Sequence, residues 1–349
     1  MTTDVFRSFE TVSDRRPEQD QGDKMRVLVT GGGGYIGSVA TERLLLKGHD
    51  VVVLDSFERG HRAAVHPDAD IVEVDLKDGT ATAAALANRK IDAILHFAAL
   101  HLVSESMVKP SEYYRTNLIG GLNLLDAARA EGIGKFIFSS TAAVYGEPER
   151  LPIVEESPKQ PINPYGRSKW MVEQILSDFS RQYEINHAAF RYFNVAGAGD
   201  RFGEDHSPET HVIPVALQVL QGKRNAFTIF GTDYPTPDGT AVRDYVHVLD
   251  LADAHVNALH KLDTSLGAIN LGTKEGFSVQ QIADAVTRVT GKDLNVAYGP
   301  KREGDPAALV ADSSKAQRLV DWDPKRSNLD DMVSSAWEWM QRNPNGYST

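Results

Sequence analysis

From residue 25 onward, apolar positions along the chain follow two alternating rhythms. Short unbroken runs at residues 26–30, 51–54, 71–74, 93–97, 136–140 and 188–193 have the length and β-branched content of buried strands. Between them lie longer stretches with helical spacing, such as the one running through 44–47 and those at 117–130 and 169–182. Strands that are apolar throughout, separated by helices, predict an α/β fold with a doubly wound parallel sheet. Beyond about residue 198 the rhythm breaks into Gly/Pro/Asp-rich loops at 231–239 and 299–306, among shorter helices and strands. This predicts a smaller C-terminal lobe carrying a substrate site. Residues 1–24 mix acids and bases, hold few aliphatic residues and have no apolar core, as expected of a disordered tail. The expected division is therefore a tail at 1–24, a nucleotide-binding domain at 25–197, and a mainly substrate-binding lobe at 198–349. A length of 349 residues agrees with two lobes, because single cores stop growing at about 250–300 residues.

The first strand-to-helix turn carries Gly31-Gly-Gly-Gly-Tyr-Ile-Gly37. Glycines at 31, 34 and 37 let the backbone pass close to a pyrophosphate seated on a helix N-terminus, which makes the sheet Rossmann-type. Asp55 ends the second strand, eighteen residues past Gly37, where a carboxylate hydrogen-bonds a ribose 2′-OH and repels a 2′-phosphate. Together they point to NAD rather than NADP. Asp75 and Leu76 follow the third strand, where they would flank the adenine; an ordinary helix cap explains Asp75 equally well.

Tyr165-Gly-Arg-Ser-Lys169 places a phenol and an ammonium one helical turn apart on the same face. A cation beside a phenol favours the phenolate and is expected to lower a pKa normally near 10. Thr141 ends the strand at 136–140, and strand ends of open sheets are where ligands bind. Its hydroxyl is placed to hydrogen-bond a reacting hydroxyl.

Charge and composition narrow the partners. Lys plus Arg (37) against Asp plus Glu (48) gives a net charge of -11, which disfavours nucleic acid and anionic membrane surfaces. No apolar run approaches the roughly 20 residues that cross a bilayer. The absence of cysteine excludes disulfides, thiolate metal sites and a cysteine nucleophile, and fits a cytoplasmic location. The histidines show no metal-ligand spacing, so no metal is expected.

The chain after Lys24 resembles the extended short-chain dehydrogenase/reductases and, within them, the UDP-glucose 4-epimerases. The resemblance is carried by residues 31–37, Phe97-Ala98-Ala99, 139–146, 165–169, Arg191-Tyr-Phe-Asn194, 233–247 and 302–306, with the 233–247 stretch pointing to the epimerases in particular. It implies that NAD is firmly held and transiently reduced while UDP-galactose and UDP-glucose interconvert through a 4-keto sugar. It implies that Tyr165 is the base, that Lys169 binds the nicotinamide ribose and tunes Tyr165, and that Thr141 stands where serine is usual. Tyr35, Ile36, Phe97, Ala98, Ala99, Asn117 and Phe193 would line the NAD site, and Asn194, Phe230, Arg243, Arg302 and Asp305 would hold the UDP moiety. For the two arginines, ion pairs with Asp244 and Glu303 are the competing reading. The pattern departs from the family at His101 and Thr116, where lysine and asparagine are usual. Leu309 stands where the family often has a tyrosine that excludes a 2-acetamido group, so UDP-N-acetylhexosamines are expected substrates as well.

A UDP-pentose 4-epimerase, a 4,6-dehydratase and a decarboxylase are the related alternatives. The dehydratases carry an acid/base pair directly after the strand-end hydroxyl, and here Thr141 is followed by Ala142-Ala143. A non-catalytic NAD-sensing protein would lack the Tyr165–Lys169 pair. Apolar stripes at Leu118, Leu122 and Leu125 and at Val172, Ile175, Leu176 and Phe179 exceed what one sheet contact needs, and predict a homodimer across those helices.

Overall fold

The computed structural model of the chain describes residues 24–302 and 305–347. The expected tail at 1–24 lies, apart from Lys24, outside the described residues.

Thirteen strands are present among these: β1 (Arg26–Thr30), β2 (Asp50–Asp55), β3 (Asp70–Glu73), β4 (Ala93–His96), β5 (Lys135–Thr141), β6 (Asn186–Tyr192), β7 (Asn194–Ala196), β8 (Phe227–Phe230), β9 (Val242–His247), β10 (Gly267–Leu271), β11 (Gly276–Ser278), β12 (Val296–Gly299) and β13 (Ala308–Leu309). Seven form one parallel sheet in the order β10-β6-β5-β4-β1-β2-β3. The order reverses between β1 and β4, the switch point at which doubly wound sheets open a crevice for ligand. The predicted fold is thus observed, and each of the six predicted strands is present within two residues of its expected bounds.

Because successive side chains point to opposite faces of a strand, β1 feeds two cores. Val27 and Val29 join Val53, Leu95 and Phe190 on one face, under the helices Tyr35–Leu46 and Val248–Lys261. Leu28 joins Leu54, Ile94, Phe136 and Leu176 on the other, under Gly79–Leu86, Gly120–Ala130 and Pro164–Tyr183. Each fully buried aliphatic side chain of this kind contributes about 1.5–3 kcal/mol.

Strand β10 lies beyond residue 197 yet pairs in parallel with β6, Ile269 opposite Phe190. The chain therefore leaves the sheet after β6 and returns to it through Val248–Lys261. A five-residue strand set among Gly/Pro-rich loops gives little periodicity to read, and it was not expected. The helix predicted at 117–130 begins with a π turn, Tyr114–Ile119, before the α-helix Gly120–Ala130. Such turns widen a helix locally and recur at functional sites.

The remaining elements form the second lobe. Strand β9 pairs with β7, β11 and β13. Helices Val212–Leu220, Val279–Thr290 and Leu329–Arg342 close a third core around Ile229, Ile282, Met332 and Trp339. The pairing of β7 with β9 brings the chain just after β6 alongside the second lobe, Asn194 opposite Tyr245.

Candidate active site

At the switch point lies a cavity of about 390 Å³ lined from both lobes. Its floor is the glycine turn. Gly31 has φ +74°, and a Cβ there would sit 2.5 Å from the Ala98 backbone nitrogen; a Cβ on Gly37 would fall onto the Gly31 carbonyl oxygen. Glycine is required at both positions by close backbone approach, which leaves a concave backbone wall facing the first turn of Tyr35–Leu46. Asp55 is buried at the end of β2 and accepts hydrogen bonds from the Gly33 N–H at 2.9 Å and the Phe57 N–H at 2.8 Å. Burial raises its pKa, and those N–H groups pull it back. A carboxylate so held still has lone pairs for a ribose hydroxyl, so the cradle fits a dinucleotide.

Ile36, Asp75, Leu76, Phe97, Ala98 and Ala99 line the same cavity, as do Gly34 and Tyr35. Asp75 is not a helix cap: Asp78 caps the helix Gly79–Leu86, accepting from the Ala81 N–H. Asn117 takes no part in the lining. Its side chain is spent on the Leu100 backbone, accepting from its N–H at 2.8 Å and donating to its carbonyl at 3.0 Å, and on Ser168. Its neighbour Thr116, on the π turn, faces the cavity instead.

The far wall holds Tyr165, Lys169 and Thr141. Asn163 caps the helix Pro164–Tyr183, accepting from the Gly166 N–H, and Pro164 supplies a preset first turn, so Tyr165 and Lys169 start the helix on one face. Lys169 is only 2% exposed; its Nζ donates to the Ser139 carbonyl at 2.7 Å and lies 4.8 Å from the centre of the Phe138 ring. Burial pulls its pKa down to about 7. Tyr165 departs from expectation. Burial pushes the phenol above its usual value, opposed only by a hydrogen bond with Thr141. The expected lowering by a neighbouring ammonium fails because Lys169 is itself drawn toward neutrality and committed to Ser139.

Phe193 and Asn194 also reach the cavity. The remaining residues assigned to UDP form a separate group in the second lobe. Arg243 pairs with Asp305, Arg302 stacks 4.1 Å from the centre of the Phe230 ring, and Leu309 stands opposite Arg243 in the β13–β9 register. Asn194 connects the two groups by donating to the Asp244 carbonyl at 3.0 Å. Asp244 is not the partner of Arg243. It is fully buried, accepts from the Thr273 and Ala311 N–H groups, and burial raises its pKa to about 6. Glu303 lies outside the described residues.

Of the cavity's third side, sequence reasoning singled out only His101. His101, Glu204, His206 and His211 line it, and Glu204, His206, Glu209 and His211 bring their donor atoms within 4.8 Å of one another. The sequence showed no metal-ligand spacing among the histidines, yet the fold gathers these four side chains. Five ligand-type residues within eight positions, 204–211, were the available signal.

The fold and the glycine cradle define a dinucleotide-binding α/β protein of the doubly wound class. Residues 27–272 match the model of the NAD dependent epimerase/dehydratase family, and the chain belongs to that family. It is 48% identical to a UDP-glucose 4-epimerase of Lactobacillus helveticus over 327 residues, 93% of this chain and 99% of the relative. The structure superposes with a TM-score of 0.87 and 42% identity on a UDP-glucose 4-epimerase of Brucella ovis in complex with NAD, covering 90% of this chain and 98% of that one. It also superposes on the Bifidobacterium longum UDP-glucose 4-epimerase in complex with NAD+ and UDP, with a TM-score of 0.86, 38% identity, and coverage of 92% and 100%.

Proposed function

We infer that this chain inverts C4 of a UDP-hexose, interconverting UDP-galactose and UDP-glucose with NAD as its cofactor. The observation that carries the reading is that Tyr165, Lys169 and Thr141 open onto the same cavity as the glycine cradle and Asp55. The relatives' shared activity supports it. Bound NAD supplies a reversible hydride acceptor for C4, so the reaction ends without net redox change.

The protein's own part is to hold and to move a proton. Gly31, Gly34 and Gly37 admit the pyrophosphate to the backbone N–H groups of the helix start, and Asp55 receives a ribose hydroxyl. As the phenolate, which the positive charge of bound NAD would favour against the burial that raises its pKa, Tyr165 Oη would take the proton of the sugar 4-hydroxyl and return it, while Thr141 Oγ1 orients that hydroxyl. Lys169 contacts the nicotinamide ribose. Arg243, Arg302, Asp305, Phe230 and Asn194 clamp the UDP end, leaving the hexose loosely held so that either face of C4 can be presented. For Arg243 this means trading Asp305 for a phosphate, a swap that the forked guanidinium suits. In this division, residues 25–197 supply most of the cradle and 198–349 all of the UDP clamp but Asn194.

The same reading includes a homodimer across the helices Gly120–Ala130 and Pro164–Tyr183. Met107, Val108 and Ile119 stand exposed close to these helices, an apolar surface that a second copy would cover. Light scattering should give twice the chain mass at micromolar concentration; a monomer mass rejects the dimer. Among the described residues no helix is long and apolar enough to cross a membrane, and the cysteine-free composition suits the cytoplasm.

The direct test is to incubate the purified protein with UDP-galactose, UDP-glucose and UDP-N-acetylglucosamine, adding no NAD, and to identify products by NMR. Conversion at C4 without accumulation of NADH is expected. No conversion of any of the three sugars would overturn the reading.

A further inference from the structure

The segment 204–211 gathers two carboxylates and two imidazoles beside the cofactor cavity. Glu204 Oε1 lies 2.6 Å from His211 Nδ1 and 3.1 Å from His206 Nδ1. Glu209 Oε1 lies 3.0 Å from His211 Nδ1, and its Oε2 is 3.7 Å from His206 Nδ1. The carboxylate side chains are nearly sealed, at 6% and 3% exposure, whereas those of His206 and His211 are 19% and 37% exposed toward the cavity.

Three features of this cluster point the same way. The first is charge. Glu204 and Glu209, both sealed, converge on the same His211 Nδ1, so a single proton there is shared between two carboxylates whose charge a dication would balance in full. They also stand at the wall of a cavity that admits a diphosphate. The second is spacing. Four donors around a tetrahedral Zn²⁺ with bonds of 2.0–2.1 Å would be about 3.3 Å apart, and the separations above bracket that value. The third is an orphan. His101, with its ring centre 4.7 Å from that of His206 and 5.9 Å from that of His211, has a buried Nε2 with no hydrogen-bond partner among the described residues.

The backbone is arranged to hold the set. Glu209 Oε1 accepts from the N–H groups of Thr210 and His211, both at 2.7 Å, and Arg224 donates to the Glu209 carbonyl at 2.8 Å. His206 lies edge-on to Tyr35 at 6.3 Å, and His61 bonds the Asp205 carbonyl, so the segment is pinned against the first turn of the helix Tyr35–Leu46.

We propose that Glu204, His206, Glu209 and His211 bind one divalent transition-metal ion of the zinc type. Two carboxylates balance the ion's charge exactly, two imidazole nitrogens supply borderline-soft donors, and the exposed histidine edges give it an entry path. The ion would fasten segment 204–211 to the cofactor cradle and replace a buried negative patch with a neutral one. It takes no part in the proton transfer at Tyr165, so the site stands or falls apart from the reaction assigned above.

The test is metal binding by the full-length protein, with its cofactor retained and its metal stripped by chelator dialysis. Cobalt(II) alone should bind at one equivalent per chain and develop the intense visible bands of a tetrahedral ion, and zinc should abolish them by displacement. The double variant His206→Gln/His211→Gln and the single variant Glu209→Gln, checked for fold by circular dichroism, should bind cobalt at least about a hundredfold more weakly, since even outer-sphere losses cost 10–100-fold. Zinc should raise the melting temperature of the wild type and not that of the variants. The proposal is overturned if the wild type shows no stoichiometric tetrahedral cobalt spectrum, in which case protons alone balance the carboxylates. It is equally overturned if folded variants bind cobalt as tightly as the wild type. Should neither variant fold, the wild-type cobalt stoichiometry and spectrum decide.

Discussion

The two ends of the ligand site are built by different means. At the cradle end, position is set by backbone. Gly31 and Gly37 touch neighbouring main chain, Asp55 is fixed by two N–H donors, and Lys169 is locked onto a carbonyl. At the clamp end, position is set by side chains paired with each other: Arg243 with Asp305, and Arg302 with the Phe230 face. A backbone cradle has few alternatives and holds its ligand in one pose. A clamp of long side chains must break its own pairs to take a ligand, and so can adjust to what is bound. A reaction that keeps the cofactor fixed while the sugar turns needs this division.

The largest effect should come from removing the proton acceptor from the rigid end. Tyr165→Phe keeps the ring and loses the hydroxyl that bonds Thr141, so fold and cofactor content should persist while turnover falls by about 10²–10⁴-fold. A variant within a few-fold of the wild-type rate would break the comparison at its base.

Next comes Lys169. The unfolded chain keeps its proton up to the ordinary value of 10.5, whereas the folded protein releases it near 7. Between those values the unfolded state binds more protons, so stability rises with pH through that window, by at most about 1.4 kcal/mol per pH unit. Lys169→Met removes this slope. The wild type should therefore gain melting temperature relative to the variant from pH 7 to pH 10. A constant difference would show that the buried amine does not titrate there.

The same contrast explains what was legible in the sequence. Backbone constraints leave marks on residue type, so the glycine spacing, Asp55 and the Tyr165–Lys169 turn could be read, and with them the switch-point sheet. Features set by long-range side-chain geometry left weaker marks. Asn117 and Thr116 are neighbours, and only the π turn decides which of them faces the cavity. Arg243 could have paired with adjacent Asp244, but the fold buries Asp244 against the Thr273 and Ala311 N–H groups and offers Asp305 instead. The direction of the Tyr165 shift depends on burial, and the His/Glu cluster at 204–211 becomes a site only when its loop closes.

At the clamp end, Arg243→Ala should leave the cofactor content unchanged and raise KM for UDP-sugars. A hydrogen bond to a charged group contributes about 1.5–3 kcal/mol, which sets the expected rise at roughly 10–150-fold. Because Asp305 loses its partner in the free protein, part of that loss is offset, and Asp305→Asn should weaken binding less than Arg243→Ala does. Equal KM values in wild type and Arg243→Ala would place the diphosphate elsewhere.

The smallest effect should be one of choice between sugars, and it tests whether the clamp's tolerance has a wall. Leu309, like Phe193 and Ala142, packs against the Val144–Tyr145–Ile153 cluster, and it stands opposite Arg243. We propose that a hexose held between Tyr165 and Arg243 presents its 2-substituent toward this side chain. Leucine is shorter than tyrosine and has no hydroxyl, so a 2-acetamido group should find room, and UDP-N-acetylglucosamine should be turned over alongside UDP-glucose. Leu309→Tyr pushes a ring into that space. Changes of bulk in an apolar wall shift discrimination by about 1–3 kcal/mol, so the kcat/KM ratio of the acetamido sugar to UDP-glucose should fall at least about tenfold, mainly through the acetamido sugar. Leu309→Met, close in volume, should leave the ratio nearly as it is and separates loss of space from loss of packing. If Leu309→Tyr lowers both sugars equally, Leu309 is a packing residue of the second lobe and the wall lies in another loop.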